Sequence, residues 1–212
     1  MLTYPVGFLG AKKRGPLTAS RVGGAANNGS YSVNLGAGAS DLFVCVAVAD
    51  YAVIGVSAPT SVTVGGVSLT KVADANFSGY NGFNPSLWFG HVPAGGSQTV
   101  SFAPGSGTQY YASDVFVIRG SSNTTFDTSA SGHDTGSVSL SINLSAGEVL
   151  IGAYAGYAAA TLTGLTSDGS QALWDGNYTT VGHFATSVIK NGYSTTASNV
   201  GGLTFVEASF KP

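Results

Sequence analysis

The chain has 212 residues, 43% of them hydrophobic and only 8% charged, with a formal net charge of −2. Typical domains carry about 25% charge. The mildly acidic balance argues against a phosphate backbone as partner, and apolar residues recurring at period two exclude a disordered chain. Such a length holds one large β-sandwich or two small ones of about 100 residues each.

Residues 1–30 differ from the rest. Lys12, Lys13, Arg14 and Arg21 supply half of the eight basic residues, and no acid occurs before Asp41. The remainder holds all ten acids, so a basic arm precedes an acidic body. Gly10, Gly15-Pro16 and Gly23-Gly24 interrupt regular structure. Leu2, Tyr4, Phe8 and Leu9 make the segment too apolar for a solvated tail. An irregular arm docking on a neighbour is the expectation. The arm's apolar residues precede its basic ones, the reverse of a secretory signal, so no Sec-type export is expected. No run approaches the 18 apolar residues of a membrane span.

The body begins with Tyr31–Leu35. Leu42–Ala49 is a nearly continuous apolar run, as in a central strand buried on both faces. It contains Cys45, the one cysteine, so no intramolecular disulfide is possible and a reducing compartment fits. Val53–Val56 is short and stops before Pro59. Ser61–Phe102 reads as an antiparallel meander, with Gly65-Gly66 as its first hairpin turn. Its strands are Val62–Val64, Val67–Leu69, Ser86–Val92 and Gln98–Phe102. Tyr110–Arg119 is a further strand, and Ser121–Thr135 reads as a polar loop. Ser137–Leu144 alternates cleanly, with Val138, Leu140, Ile142 and Leu144 inward. Glu148–Tyr154, Thr161–Leu165, Gln171–Trp174, Tyr178–Ile189 (bent near Gly182) and Leu203–Phe210 follow. No helix is expected.

Ser32–Leu35 followed by Asp41–Val44 is echoed by Ser141–Leu144 followed by Glu148–Ile151. Ser61–Gly65 is echoed by Ala160–Gly164. Without a linker near residue 125, a single sandwich over 31–212 is the expectation. Two tandem sandwiches, about 31–122 and 136–212, are the alternative. The fold class expected is all-β, an antiparallel two-sheet sandwich of jelly-roll-like character.

Motifs for catalysis are absent: no G-x-S-x-G, phosphate-binding loop, H-E-x-x-H or EF-hand spacing. His91, His133 and His183 stand far apart, none at metal-ligand spacing. His133-Asp134 reads as a polar loop tip. No enzyme, cofactor or metal site is expected. The most binding-like stretch is Asn76–Pro85. Phe77, Tyr80 and Phe83 interleave with Asn81 and other amides there, the residue types that stack on sugars and bond their hydroxyls. The same aromatics also suit folding inward or packing on another subunit.

Val62–Val72, Ser86–Phe89, Val92–Gly96 and Thr99–Phe102 together resemble β-sandwich structural proteins of tailed phages and prophages: decoration proteins, head fibres, collar or tail appendages. The resemblance implies a virion component assembled in the bacterial cytoplasm. Its partners would be sister subunits and other virion proteins, and it implies no catalytic residues. The arm residues Leu2, Tyr4, Phe8, Leu9, Lys12, Lys13, Arg14 and Arg21 are then the expected attachment segment. A carbohydrate-binding module or adhesin, meeting a host-surface glycan through Asn76–Pro85, is the alternative.

Overall fold

The computed structural model describes residues 15–51, 57–75, 82–174, 176–199 and 201–212. The protein is all-β, with antiparallel sheets packed on one another and no helix among the described residues. In the first half the strands are β1 (Thr18–Ala26), β2 (Ser30–Asn34), β3 (Phe43–Tyr51), β4 (Ser61–Val64), β5 (Val67–Ser68), β6 (Thr70–Asp74), β7 (Phe83–His91), β8 (Ser97–Ala103) and β9 (Tyr110–Arg119). In the second they are β10 (Thr125–Asp134), β11 (Ser137–Leu144), β12 (Val149–Gly156), β13 (Thr161–Thr163), β14 (Thr166–Trp174), β15 (Asn177–Ala185), β16 (Lys190–Ser198) and β17 (Leu203–Lys211).

These strands build four sheets rather than two. One five-stranded sheet has the order β1-β9-β3-β7-β6, and another has β10-β17-β12-β15-β14. The smaller sheets run β2-β8-β4-β5 and β11-β16-β13. With β1 matched to β10, β3 to β12, β7 to β15 and β9 to β17, the two five-stranded orders are the same. Each half is a two-sheet sandwich, and the larger sheets pack face to face as the inner layers of a four-layer stack. β3 faces β12 across this junction, while the edge strands β1 and β6 lie over β14 and β10. The halves are therefore related by an approximate two-fold axis parallel to the strands.

Side-chain alternation produces the layers. On β3, Val44, Val46 and Val48 join Val62, Val64, Val100 and Phe102 in the core of the N-terminal half. Phe43, Cys45 and Ala47 point the other way, into the junction. On β12, Leu150 and Tyr154 enter the C-terminal core, and Val149, Ile151 and Ala153 enter the junction. All nine residues of β3 are buried because both faces are covered. β11 alternates buried and exposed because it lies in an outer sheet. Each half keeps a core of its own, and the junction core lies between the two inner sheets.

Three readings change. Thr18–Ala26 belongs to the body, not to an arm: β1 pairs with β9 from Thr18↔Arg119 to Ala26↔Ala112. The signal was masked by Gly23-Gly24 and a β-bulge between Arg21 and Gly23. Ser121–Thr135 is not merely a polar loop, since β10 pairs with β17 over Thr125–Asp134. Its polarity is that of a half-exposed edge strand. Finally, Ser61–Phe102 is no simple meander. β4, β5 and β8 lie in the outer sheet and β6 and β7 in the inner one, so the turn after β7 crosses between sheets. Gly65 and Gly66 do form the β4–β5 turn, at φ of 58° and 80°.

Candidate functional site

Antiparallel pairing gives the molecule two ends. At the base lie the start of the described chain, the Ser145–Gly147 turn, Thr186–Ile189 and Pro212. At the tip, Tyr51, Phe83 and Tyr110 sit side by side on neighbouring strands of the inner sheet. The undescribed residues 52–56 and 76–81 attach at this tip end.

The tip carries an aromatic cluster at the junction of the halves. Tyr51 and Phe83 have ring centroids 4.9 Å apart, and Tyr51 and Tyr110 6.4 Å. Tyr157, from the turn after β12, meets Phe83 edge-on at 5.0 Å. Tyr157 is 39% exposed, whereas Phe83 is only 4% exposed, so Tyr157 offers the cluster's accessible ring. Gly201 lies against that ring: a Cβ built on it would come within 3.2 Å, at a φ of 108° that already favours glycine. Phe83 thus packs inward. Phe77, Tyr80 and Asn81 lie outside the described residues.

At the base, Leu17 donates its backbone N–H to the Gly147 carbonyl at 2.8 Å and buries its side chain in the junction core. Gly147 in turn donates to Thr186 at 2.8 Å. Two residues on, Val188 and Ile189 are 54% and 68% exposed, the most exposed large apolar side chains among the described residues. The chain therefore emerges at Gly15-Pro16 beside an uncovered apolar turn. Leu2, Tyr4, Phe8, Leu9, Lys12, Lys13 and Arg14 lie outside the described residues. Arg21, read as part of the arm, instead bonds Asp114 within the body at 2.5 Å.

Polar groups converge on the open side of the junction. Asp114 on β9 is 2% exposed and accepts from Arg21 Nε. Gln171 on β14 donates from Nε2 to the Ser113 carbonyl at 2.8 Å, linking the two halves. Burial pushes the Asp114 carboxyl above its usual range, against the opposing pull of Gln171 and Arg21. Nearby, His183 Nδ1 and Asp168 Oδ2 are 2.6 Å apart. Gly24 is required here, because a Cβ would lie 2.6 Å from both Asp114 Oδ1 and Gln171 Nε2.

Asp50 and Glu207 are buried inside the sandwiches. Asp50, on the face of β3 that looks into the N-terminal core, accepts from Thr108 Oγ1 at 3.1 Å, and its Oδ2 has no hydrogen-bond partner. Glu207, on the face of β17 that looks into the C-terminal core, accepts from Thr195 Oγ1 at 2.5 Å and leaves Oε1 without one. Burial pushes each up to about 7. They face different cores, with the junction between them. The sequence reading passed over both, although each interrupts an apolar run, which was the available signal. It also passed over Tyr51, Tyr110 and Tyr157, which only the fold brings together.

His133 and Asp134 lie on β10, where Asp134 Oδ1 accepts from Thr135 N at 2.5 Å. Among the described residues, no group of three or more His, Cys, Asp or Glu could hold a metal ion, and no helix is long and apolar enough to cross a membrane. Comparison with protein-family models, with curated proteins and with solved structures finds no match.

Proposed function

We propose that the chain is a non-enzymatic structural component of a tailed-phage or prophage particle, of capsid-decoration, head-fibre, collar or tail-appendage type. It attaches through its N-terminal segment, self-associates, and joins the virion after synthesis in the bacterial cytoplasm. The observation that supports this most is the polarity of the body. An apolar and basic segment leaves at the base, beside the exposed Val188 and Ile189. The aromatic cluster of Tyr51, Phe83, Tyr110 and Tyr157 is at the opposite end. Attachment at one end and presentation at the other is what an appendage needs.

The composition fits the same role. Uncharged hydroxyl-rich strands and a core shared by two sandwiches give a rigid block with few surface charges. The test is mass spectrometry of gradient-purified particles. The chain should be present in many copies per particle. Its absence from intact particles contradicts the proposal.

A second reading is favoured by Tyr157. Its exposed ring, backed by Phe83, gives a flat apolar face at the tip of the kind that stacks on a sugar ring. In that reading the tip binds a host-surface glycan. A glycan array would show binding that Tyr157→Ala removes. An array without signal leaves the structural role alone.

A further inference from the structure

Deamidation of an asparagine needs no enzyme. The backbone nitrogen of the next residue, once it has given its proton to solvent hydroxide, bonds to the side-chain carbonyl carbon. The bond from that carbon to Nδ2 breaks, and ammonia leaves with a proton taken from water. A second water opens the resulting succinimide at either carbonyl, giving aspartate or isoaspartate. A following glycine favours the closure, because it has no Cβ to crowd the ring and its backbone turns freely. The chain has three such pairs, Asn28-Gly29, Asn81-Gly82 and Asn191-Gly192, and Asn81 lies outside the described residues. The other two share the same local chemistry, and the fold holds them differently.

Asn191 and Gly192 lie in the β11–β16 ladder, where the register shifts between Ile142 and Leu144. Gly192 donates its N–H to Asn143 Oδ1 at 2.8 Å. The proton that must leave is held by an acceptor. The nitrogen is aimed across the ladder at Asn143 rather than back at the Asn191 side chain. The ladder also resists the backbone rotation that closure needs.

Asn28 is exposed, in the turn between β1 and β2. Ser30 donates its N–H to Asn28 Oδ1 at 3.1 Å, which folds the carboxamide forward over the intervening Gly29. The succinimide bond closes inside that hydrogen-bonded ring. The same Ser30 N–H faces the oxygen on which negative charge develops during the attack. Gly29 accepts from Phe102 N at 2.9 Å through its carbonyl, while its own N–H has no acceptor among the described residues. Asn27, just before, has a φ of 52°, in the left-handed region. The backbone has thus already left extended geometry at this turn.

We propose that Asn28 is a site of spontaneous deamidation in the folded protein, and that the bond from Gly192 to Asn143 protects Asn191 from the same reaction. The product places a carboxylate beside Asn27, and in the isoaspartyl form one extra backbone atom. Asn27 Oδ1 accepts from Tyr111 N at 3.2 Å, and its Nδ2 donates to the Leu173 carbonyl at 3.0 Å, linking the two halves. Ageing therefore acts where the halves are tied at the tip. This chemistry goes beyond the assembly role and stands or falls without it.

Peptide mapping by mass spectrometry tests it on the full chain held in mildly alkaline buffer, folded and in urea. In urea, Asn28 and Asn191 should convert at similar rates. In the folded chain, Asn28 should convert at least tenfold faster than Asn191. Asn143→Ala should raise the Asn191 rate at least threefold and leave the Asn28 rate unchanged. Asn143→Asp keeps the acceptor and should leave Asn191 slow. Conversion of Asn191 as fast as Asn28 in the folded chain overturns the proposal. So does an Asn28 that stays intact in the folded chain while it converts in urea. An Asn191 rate that Asn143→Ala does not move overturns the protective role of that bond. No readout involves particle assembly, so a failure here is distinct from a failure of the structural role.

Discussion

Arg21 of β1 donates from Nε to Asp114 of β9 at 2.5 Å, on the face where the two halves meet. Asp114 is 2% exposed and Arg21 28%. Removing one member of a buried pair leaves the other desolvated and uncompensated, which typically costs about 3–5 kcal/mol. Asp114 already sits above its usual carboxyl range, and taking up a proton softens that loss. We expect Arg21→Ala to cost about 3 kcal/mol in urea unfolding. The double change Arg21→Met with Asp114→Leu should recover most of it, because an apolar pair has no desolvation penalty. A double variant as unstable as Arg21→Ala would show that the pair holds β1 in place by more than charge.

Glu207 and Asp50 set the sign of the pH dependence. Their folded values of about 7 lie above ordinary carboxyl values, which are about 4 for an unfolded chain. Between those limits the folded state holds protons that the unfolded state has released. The contribution of each group is fully present below about pH 4 and is lost as pH rises toward about 7, at up to roughly 1.4 kcal/mol per unit. Denaturation at pH 5 and pH 8 should show the protein more stable at pH 5. Glu207→Gln should flatten that difference by about 2 kcal/mol or less. Greater stability at pH 8 would mean that these carboxyls are ionised in the folded protein.

Leu140 faces the C-terminal core and is 8% exposed, whereas its neighbour Ser139 points outward and meets Thr196 Oγ1 at 2.9 Å. Leu140→Ala should cost about 2–5 kcal/mol through lost burial and the cavity left behind. Ser139→Ala should stay within about 0.5 kcal/mol. Equal melting of the two variants would reverse the faces assigned to β11.

The junction core makes the halves interdependent. Val149, Ile151, Ala153, Val206, Ala208 and Phe210 of the C-terminal half are buried against the N-terminal half. An isolated C-terminal half, residues 122–212, would expose this face as one apolar patch. We expect it to dimerise or aggregate in sedimentation. The approximate two-fold relation between the halves gives it a self-complementary way to do so. A stable, well-folded monomer would mean that the junction contributes little.

Strands whose burial is decided locally were legible in the sequence. The Leu42–Ala49 run marked β3, and the Ser137–Leu144 alternation marked β11. Every residue of Leu42–Ala49 is buried, and Val138, Leu140, Ile142 and Leu144 all enter the C-terminal core. Edge strands were not legible, because β1 and β10 carry polar or glycine residues on both faces and are held by distant partners, β9 and β17. The echo between Ser32–Leu35 and Ser141–Leu144 did fall on equivalent strands. Which sheets would pack together depends on contacts far apart in sequence, and no local pattern encodes those. The same holds for the tip: Phe83 was singled out, but its contacts Tyr51 and Tyr157 come from other strands and loops.

Leu17 and β1 belong to the body, so the attachment segment we propose is confined to residues 1–14. The most direct test of the assembly role is therefore a chain lacking residues 1–14, supplied in competition with the full chain during particle assembly. Its melting temperature and its copy number per purified particle are both measured. We predict a body that still melts cooperatively and a copy number reduced at least tenfold. Truncated chain incorporated as well as full-length chain would contradict attachment through the N-terminal segment.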